Sequence, residues 1–159
     1  MSEVIKGVNI INPISTNSPV AKANADVIIE FFSSYVKKNE GFYSLWVEEN
    51  PIIITPFVMV NRDSLSVNWR SGWEEVKKFF GRIIFEWEGV FDWTIHEFIV
   101  GEDPNTIITK ATSKIDMDVG GGKRVAYNGV YIQIFKFIDN KVKSFEEYYD
   151  TELLRKSYE

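Results

Sequence analysis

Three carboxylates and two phenols fall within six consecutive residues near the C-terminus, Phe145-Glu146-Glu147-Tyr148-Tyr149-Asp150. A carboxyl can carry protons to and from a substrate, and a phenol can donate a hydrogen bond to a developing oxyanion. The run closes a stretch that reads as a β-strand, in which successive side chains point to opposite faces. Phe145, Glu147 and Tyr149 therefore share one face, and Ser144, Glu146, Tyr148 and Asp150 the other. If the first set points inward, Glu147 is a carboxyl among apolar and aromatic neighbours. Desolvation then lifts its pKa toward neutrality, where general acid/base chemistry works. If the register is the other way, Asp150 is the inward carboxylate. The competing reading is a wet strand end with its acids in solvent.

His96 is the one histidine, and imidazole is a common general acid or base. Alternation places it with Thr94 and Phe98, and opposite Trp93, Ile95 and Glu97. A single histidine rules out a multi-histidine metal site, and the lack of cysteine rules out disulfides and thiolate chemistry. Asp116 and Asp118 precede Gly120-Gly121-Gly122, but the remaining spacing of a calcium loop is missing, so a hairpin turn is expected there. Neither a metal nor a cofactor is expected.

The elements that hold these residues follow from periodicity. Residues 1–17 read as an arm. From Pro19, apolar residues recur at three- and four-residue spacing (Val20, Val27, Ile28, Phe31, Phe32, Tyr35, Val36), which predicts a helix capped at Asn17 or Ser18 and stopped near Gly41. Phe42 to Glu49 reads as a short second helix, and Ile52 to Thr55 as a strand limited by Pro56. A further strand is expected around Phe57 to Val60, followed by a loop at Asn61-Arg62-Asp63. Ser71-Gly72-Trp73-Glu74 has the form of a capping box and predicts a third helix with Trp73, Val76, Phe79 and Phe80 inward. After Phe91 the period becomes two. Four strands are expected at Trp93–Val100, Thr106–Val119, Arg124–Ile138 and Lys141–Asp150, the last two joined by a tight Asp139-Asn140 turn. Helices first and strands last imply an α+β domain with an antiparallel meander.

Composition sets the outer limits. A chain of 159 residues suits one domain, here residues 18–159, and an aromatic content of 15 % gives it ample material for a core. The formal net charge of −5 argues against nucleic acid or a polybasic membrane contact. No apolar run is long enough for a membrane span and no signal peptide is evident, so a cytoplasmic protein is expected.

In order and spacing, the helix with its Phe31-Phe32 stripe, the short helix with Trp46, the third helix and the meander ending in Glu146-Glu147-Tyr148-Tyr149-Asp150 resemble the nuclear transport factor 2-like (NTF2-like) superfamily. Phe91-Asp92-Trp93, Glu102-Asp103-Pro104-Asn105 and Asp139-Asn140-Lys141-Val142 resemble its SnoaL-like branch, with weaker likeness to the phenazine-biosynthesis A/B proteins. The resemblance implies a cone-shaped fold, three N-terminal helices packed on a curved, mainly antiparallel sheet, with a cavity between them. It implies a small-molecule isomerase, cyclase or dehydratase acting on a cyclic or polyketide-like metabolite, and a homodimer formed through the outer sheet face. The alternative is a non-catalytic ligand-binding or dimerisation module of the same fold. Glu147 stands where the phenazine proteins carry an acid/base glutamate. The position of their third-helix histidine falls near Phe79, and no histidine lies between Trp73 and Ile84. In such a cone, Tyr43, Trp46, Trp73 and Phe79 from the helices and Tyr127, Tyr131 and Gln133 from the sheet are expected to line the pocket.

Overall fold

A computed structural model describes residues 2–55 and 68–157. The expected strand at Phe57–Val60 and loop at Asn61–Asp63 lie outside the described residues. The fold is α+β: helices cover one face of a nine-stranded, curved, mostly antiparallel sheet. Its strands are β1 (Glu3–Ile5), β2 (Val8–Ile10), β3 (Ile52–Thr55), β4 (Asn68–Ser71), β5 (Glu88–Val100), β6 (Thr106–Gly120), β7 (Lys123–Tyr127), β8 (Val130–Ile138) and β9 (Lys141–Tyr149). They lie side by side in the order β1-β2-β5-β6-β8-β9-β3-β4, and β7 extends β6 beyond the end of β8. Two contacts are parallel, β2 with β5 and β3 with β9.

Helix α1 (Pro19–Lys37) begins as its sequence implies: Ser18 Oγ accepts from the Ala21 amide at 3.1 Å, and Pro19 occupies the first turn. It ends earlier than Gly41, at Lys38 in the left-handed region (φ 54°), because the Asn39 side chain takes the Gly41 amide and starts a separate 3₁₀ turn at Glu40–Leu45. That turn is all that forms of the expected second helix. The inward stripe of α1 drives the packing. The Phe31 ring lies within 6 Å of Phe135, Phe145 and Phe80, and Phe32 stacks on Trp93 at 4.5 Å. The core is thus a layer of interlocking rings between α1 and the concave face of the sheet.

Other departures from the sequence reading have local causes. The arm folds: β1 and β2 form a hairpin, and β2 adds to the edge at β5 with Val8 and Ile10 buried. Ser71 ends β4 and caps nothing. Gly72, at φ 95°, precedes α2 (Trp73–Gly81), and no side chain caps that helix. Helix α2 then opens into one π-helical turn, Arg82–Glu86. The expected Arg124–Ile138 strand is two strands, β7 and β8, separated at Asn128-Gly129. Gly129 is required there, since a Cβ would collide with the Tyr131 hydroxyl and the Tyr127 ring. The Asp139-Asn140 turn has both residues left-handed, as a two-residue hairpin loop demands. Beyond β9 the chain forms a short helix, α3 (Thr151–Ser157), instead of a tail.

Candidate active site

The cavity forms where α1, α2, its π turn and α3 meet the concave face of β5 to β9. Its volume is about 170 Å³. For scale, a dry protein cavity of roughly 150 Å³ holds one benzene ring. The sheet supplies Phe91, Trp93, Ile115, Val125, Tyr127, Tyr131, Glu147 and Tyr149, α1 supplies Tyr35, and Leu154 of α3 closes one side. Phe79, Ile83 and Trp87 complete the lining from α2 and the π turn beyond it. Glu147 is the one charged side chain among them.

Alternation along β9 turns Phe145, Glu147 and Tyr149 toward the helices, with Phe145 deep in the core. Glu147 is 9 % exposed. Its Oε2 accepts from Gln133 Nε2 at 3.1 Å, and Gln133 Oε1 in turn accepts from the Thr109 hydroxyl at 2.7 Å. These three residues sit directly opposite one another on β6, β8 and β9, so the pairing register itself builds the chain. Burial is the main influence on Glu147 and raises its pKa to about 7, partly offset by the Gln133 hydrogen bond. No lysine or arginine pairs with it among the described residues. A carboxyl so placed can both take and give a proton near neutral pH.

The phenols around it are held neutral. Burial, and secondarily the Glu147 charge, push the Tyr35 and Tyr131 hydroxyls well above the ordinary range. Tyr131 Oη is 2.9 Å from Ser113 Oγ, which also receives the Gly129 amide. Burial also raises Tyr127. Its hydroxyl lies beside that of Tyr131, and the Trp93 indole nitrogen is sealed in the wall with no hydrogen-bond partner among the described residues. Tyr149 lies over the cavity beside Tyr131, ring centroids 6.3 Å apart.

Of the residues singled out from sequence, the structure gathers Glu147, Tyr149, Phe79, Tyr127 and Tyr131 at one cavity. Gln133 is fully buried one step behind the wall, where it touches Glu147. Trp46 packs against Phe31 and Phe80 in the core, and Tyr43 and Trp73 pack on each other on the helical side, Trp73 donating to the Glu48 carbonyl. None of these three lines the cavity. Asp150 is exposed, and its Oδ1 accepts the Leu153 amide at the start of α3. His96 stays outside as well: its Nε2 is 2.7 Å from Thr112 Oγ1. A β-bulge between Ile95 and Glu97 overturns the simple alternation there. Glu97 pairs with Lys110 at 3.2 Å in solvent, and Phe98 turns to the core. Asp116, the calcium-like acid, is paired with Arg124 across the β6–β7 hairpin.

Tyr35, Ile83, Trp87, Phe91, Trp93, Ile115, Val125 and Leu154 complete the lining without having been singled out as pocket residues. Tyr35 carried a signal, since it lies on the apolar stripe of α1. Ile83 and Trp87 reach the cavity only through the π turn, whose five-residue spacing leaves no mark in the sequence.

No family model matches the chain, and no curated protein does. Solved structures do. A protein from Jannaschia sp. CCS1 described as a SnoaL-like polyketide cyclase superposes with a TM-score of 0.64 at 16 % identity, covering 91 % of this chain and 97 % of that one. An NTF2-like protein from Burkholderia xenovorans LB400 gives 0.60 at 16 %, with coverages of 87 % and 97 %. A phenazine biosynthesis-related protein from Pseudomonas aeruginosa gives 0.61 at 12 %, with 92 % and 87 %. The chain shares the fold of these NTF2-like and SnoaL-like structures.

Proposed function

We propose that this chain is a SnoaL-like small-molecule enzyme of the isomerase, cyclase or dehydratase type, with Glu147 as general acid/base on a cyclic or polyketide-like metabolite. The observation that carries this reading is the placing of a single buried carboxyl, its pKa raised to about 7, in the wall of an otherwise apolar cavity. Glu147 takes a proton from carbon next to a carbonyl and returns it at another atom. Tyr149, on the same face two residues on, donates to the oxygen that gains charge. Such proton traffic needs neither metal nor cofactor. Phe79, where the phenazine proteins place their histidine, presents an apolar ring to the cavity, so the carboxyl works without an imidazole partner. The volume suits one ring of a neutral substrate, with larger portions projecting from the mouth.

The protein would act in the cytoplasm as a homodimer through the outer face of the sheet, where Val130, Ile132 and Ile138 of β8 are exposed. No helix among the described residues is long and apolar enough to cross a membrane. The alternative, a non-catalytic module, would be favoured by an exposed Glu147 paired with lysine; Glu147 is buried and has no such pair among the described residues.

The test is exchange of α-protons for deuterium in a panel of cyclic ketones and 1,3-diketones, followed by NMR. Glu147→Gln is expected to lower the enzymatic rate by about 10²- to 10⁴-fold. A rate equal to wild type on every compound processed would leave the binding-module reading in its place.

A further inference from the structure

Gln133 and Thr109 have no access to the cavity, yet both are fully buried polar residues in line with Glu147. Hydrogen-bond accounting gives their arrangement a direction. The Thr109 hydroxyl has one proton to donate, and it goes to Gln133 Oε1. That contact leaves Nε2 to face Glu147. If the amide turned over, Nε2 would point at Thr109, the threonine proton would lose its acceptor in a dry site, and Oε1 would oppose the Glu147 carboxylate. Buried donors are seldom left unpaired, so the turned state is disfavoured.

We propose that Thr109 and Gln133 are positioning residues that hold Glu147 ready as a base, with Thr109 fixing the amide so that Gln133 always donates to the carboxylate. This deepens the acid/base reading and rests on it for its use in catalysis, though the effect on Glu147 itself does not depend on turnover. The relay opposes the effect of burial and keeps a usable fraction of Glu147 ionised at neutral pH. The other groups facing Glu147 are Tyr35 from α1, Tyr127 from β7 and Tyr131 from β8, all neutral phenols, with Tyr149 beside it on β9. Helix α2 contributes the apolar ring of Phe79 at this point, and Arg70 of β4 interacts with Tyr149. No cation among the described residues takes over the task if the relay is cut.

The experiment is a pH titration of the Glu147 side-chain carboxyl by ¹³C NMR in the full chain and in Gln133→Leu, Thr109→Val and Thr109→Ser. Loss of a hydrogen bond to a charged group is expected to raise the Glu147 pKa by about one unit in Q133L. T109V, which frees the amide to turn, should raise it by a smaller amount, and T109S, which keeps the hydroxyl, should restore the wild-type value. An unmoved pKa in T109V, or an equal rise in T109V and T109S, would overturn the relay. The threonine pair carries the test if Q133L fails to fold. The two readings separate cleanly. A pKa rise with E147Q fully active upholds the relay and removes the catalytic role of Glu147. An inactive E147Q with no pKa rise in the relay variants does the reverse.

Discussion

Glu146 and Glu147 are chemically identical neighbours on β9, yet the two faces of one strand give them opposite surroundings. Glu147 faces the aromatic layer, loses most of its water and has its pKa raised to about 7. Glu146 faces outward, is only partly buried and accepts from the Tyr148 hydroxyl at 2.9 Å. The same division runs along β8. Tyr131, Gln133 and Phe135 are buried on the inner face, and Val130, Ile132 and Ile138 are exposed on the outer. Two-residue alternation therefore places a buried carboxyl and a partly solvated one side by side. What distinguishes them is the dielectric around each and the hydrogen bonds each can reach.

The largest test of that division concerns packing. Phe135 touches Phe31, Phe32 and Phe145 and is fully buried. Phe135→Ala should cost about 3 to 5 kcal/mol, roughly a 10 °C fall in melting temperature. Ile132→Ser, three residues away on the outer face, should change stability by about 0.5 kcal/mol or less at dilute protein. Urea unfolding of the two variants in parallel checks both. Equal losses would mean that the outer face is covered in solution.

The next test uses pH. Glu147 has a folded pKa raised from the ordinary 4.5 to about 7, so its unfolded form ionises first. The stability it confers is complete below about pH 4.5 and is lost as pH rises through 7. At about 1.4 kcal/mol per pKa unit, the full swing is about 3 kcal/mol. Wild type should therefore lose about that much relative to Glu147→Gln between pH 4 and pH 8, as read from denaturant unfolding at each pH. A constant difference between the two proteins would show that Glu147 is solvated in the folded state.

How legible all this was in the sequence follows from what sets each feature. The grouping of Phe145, Glu147 and Tyr149 on one face of β9 was legible from a period of two, though not which face points inward, and α1 was legible because its apolar stripe and Ser18-Pro19 start are local signals. The features that escaped depend on contacts distant in sequence or on irregular backbone. Val8 and Ile10 form a strand only because the edge of β5 is free to receive them. The bulge after Ile95 puts His96 and Glu97 out of step with any simple alternation. Trp46 is expected in the pocket because the resemblance implies helices roofing a cone, but the core and the cavity are neighbouring compartments here, and Phe31 and Phe80 pack on that ring. Gln133 shares the buried face of β8 with Tyr131 and Phe135 and lies behind the cavity wall. Its value lies in the bond to Glu147 behind the wall, which only the pairing register of β6, β8 and β9 reveals.

The smallest effect discriminates most directly between the two faces. Glu146→Gln keeps a side-chain oxygen that can accept from Tyr148, and the site is partly solvated, so stability should move by about 0.5 kcal/mol or less. Activity and the pH dependence of unfolding should both match wild type, because Glu147, the proposed proton carrier and the buried titrating group, is untouched. The inward register rests on Phe145 filling the core beside Phe31 and Phe80, and a shift of β9 by one residue would expel that ring. If E146Q instead abolished activity or flattened the pH profile, Glu146 would be the inward carboxyl. Phe145 would then have to be exposed, and Phe145→Ser would be harmless. An inert E146Q together with a disabling Phe145→Ser fixes the face of β9 independently of any substrate.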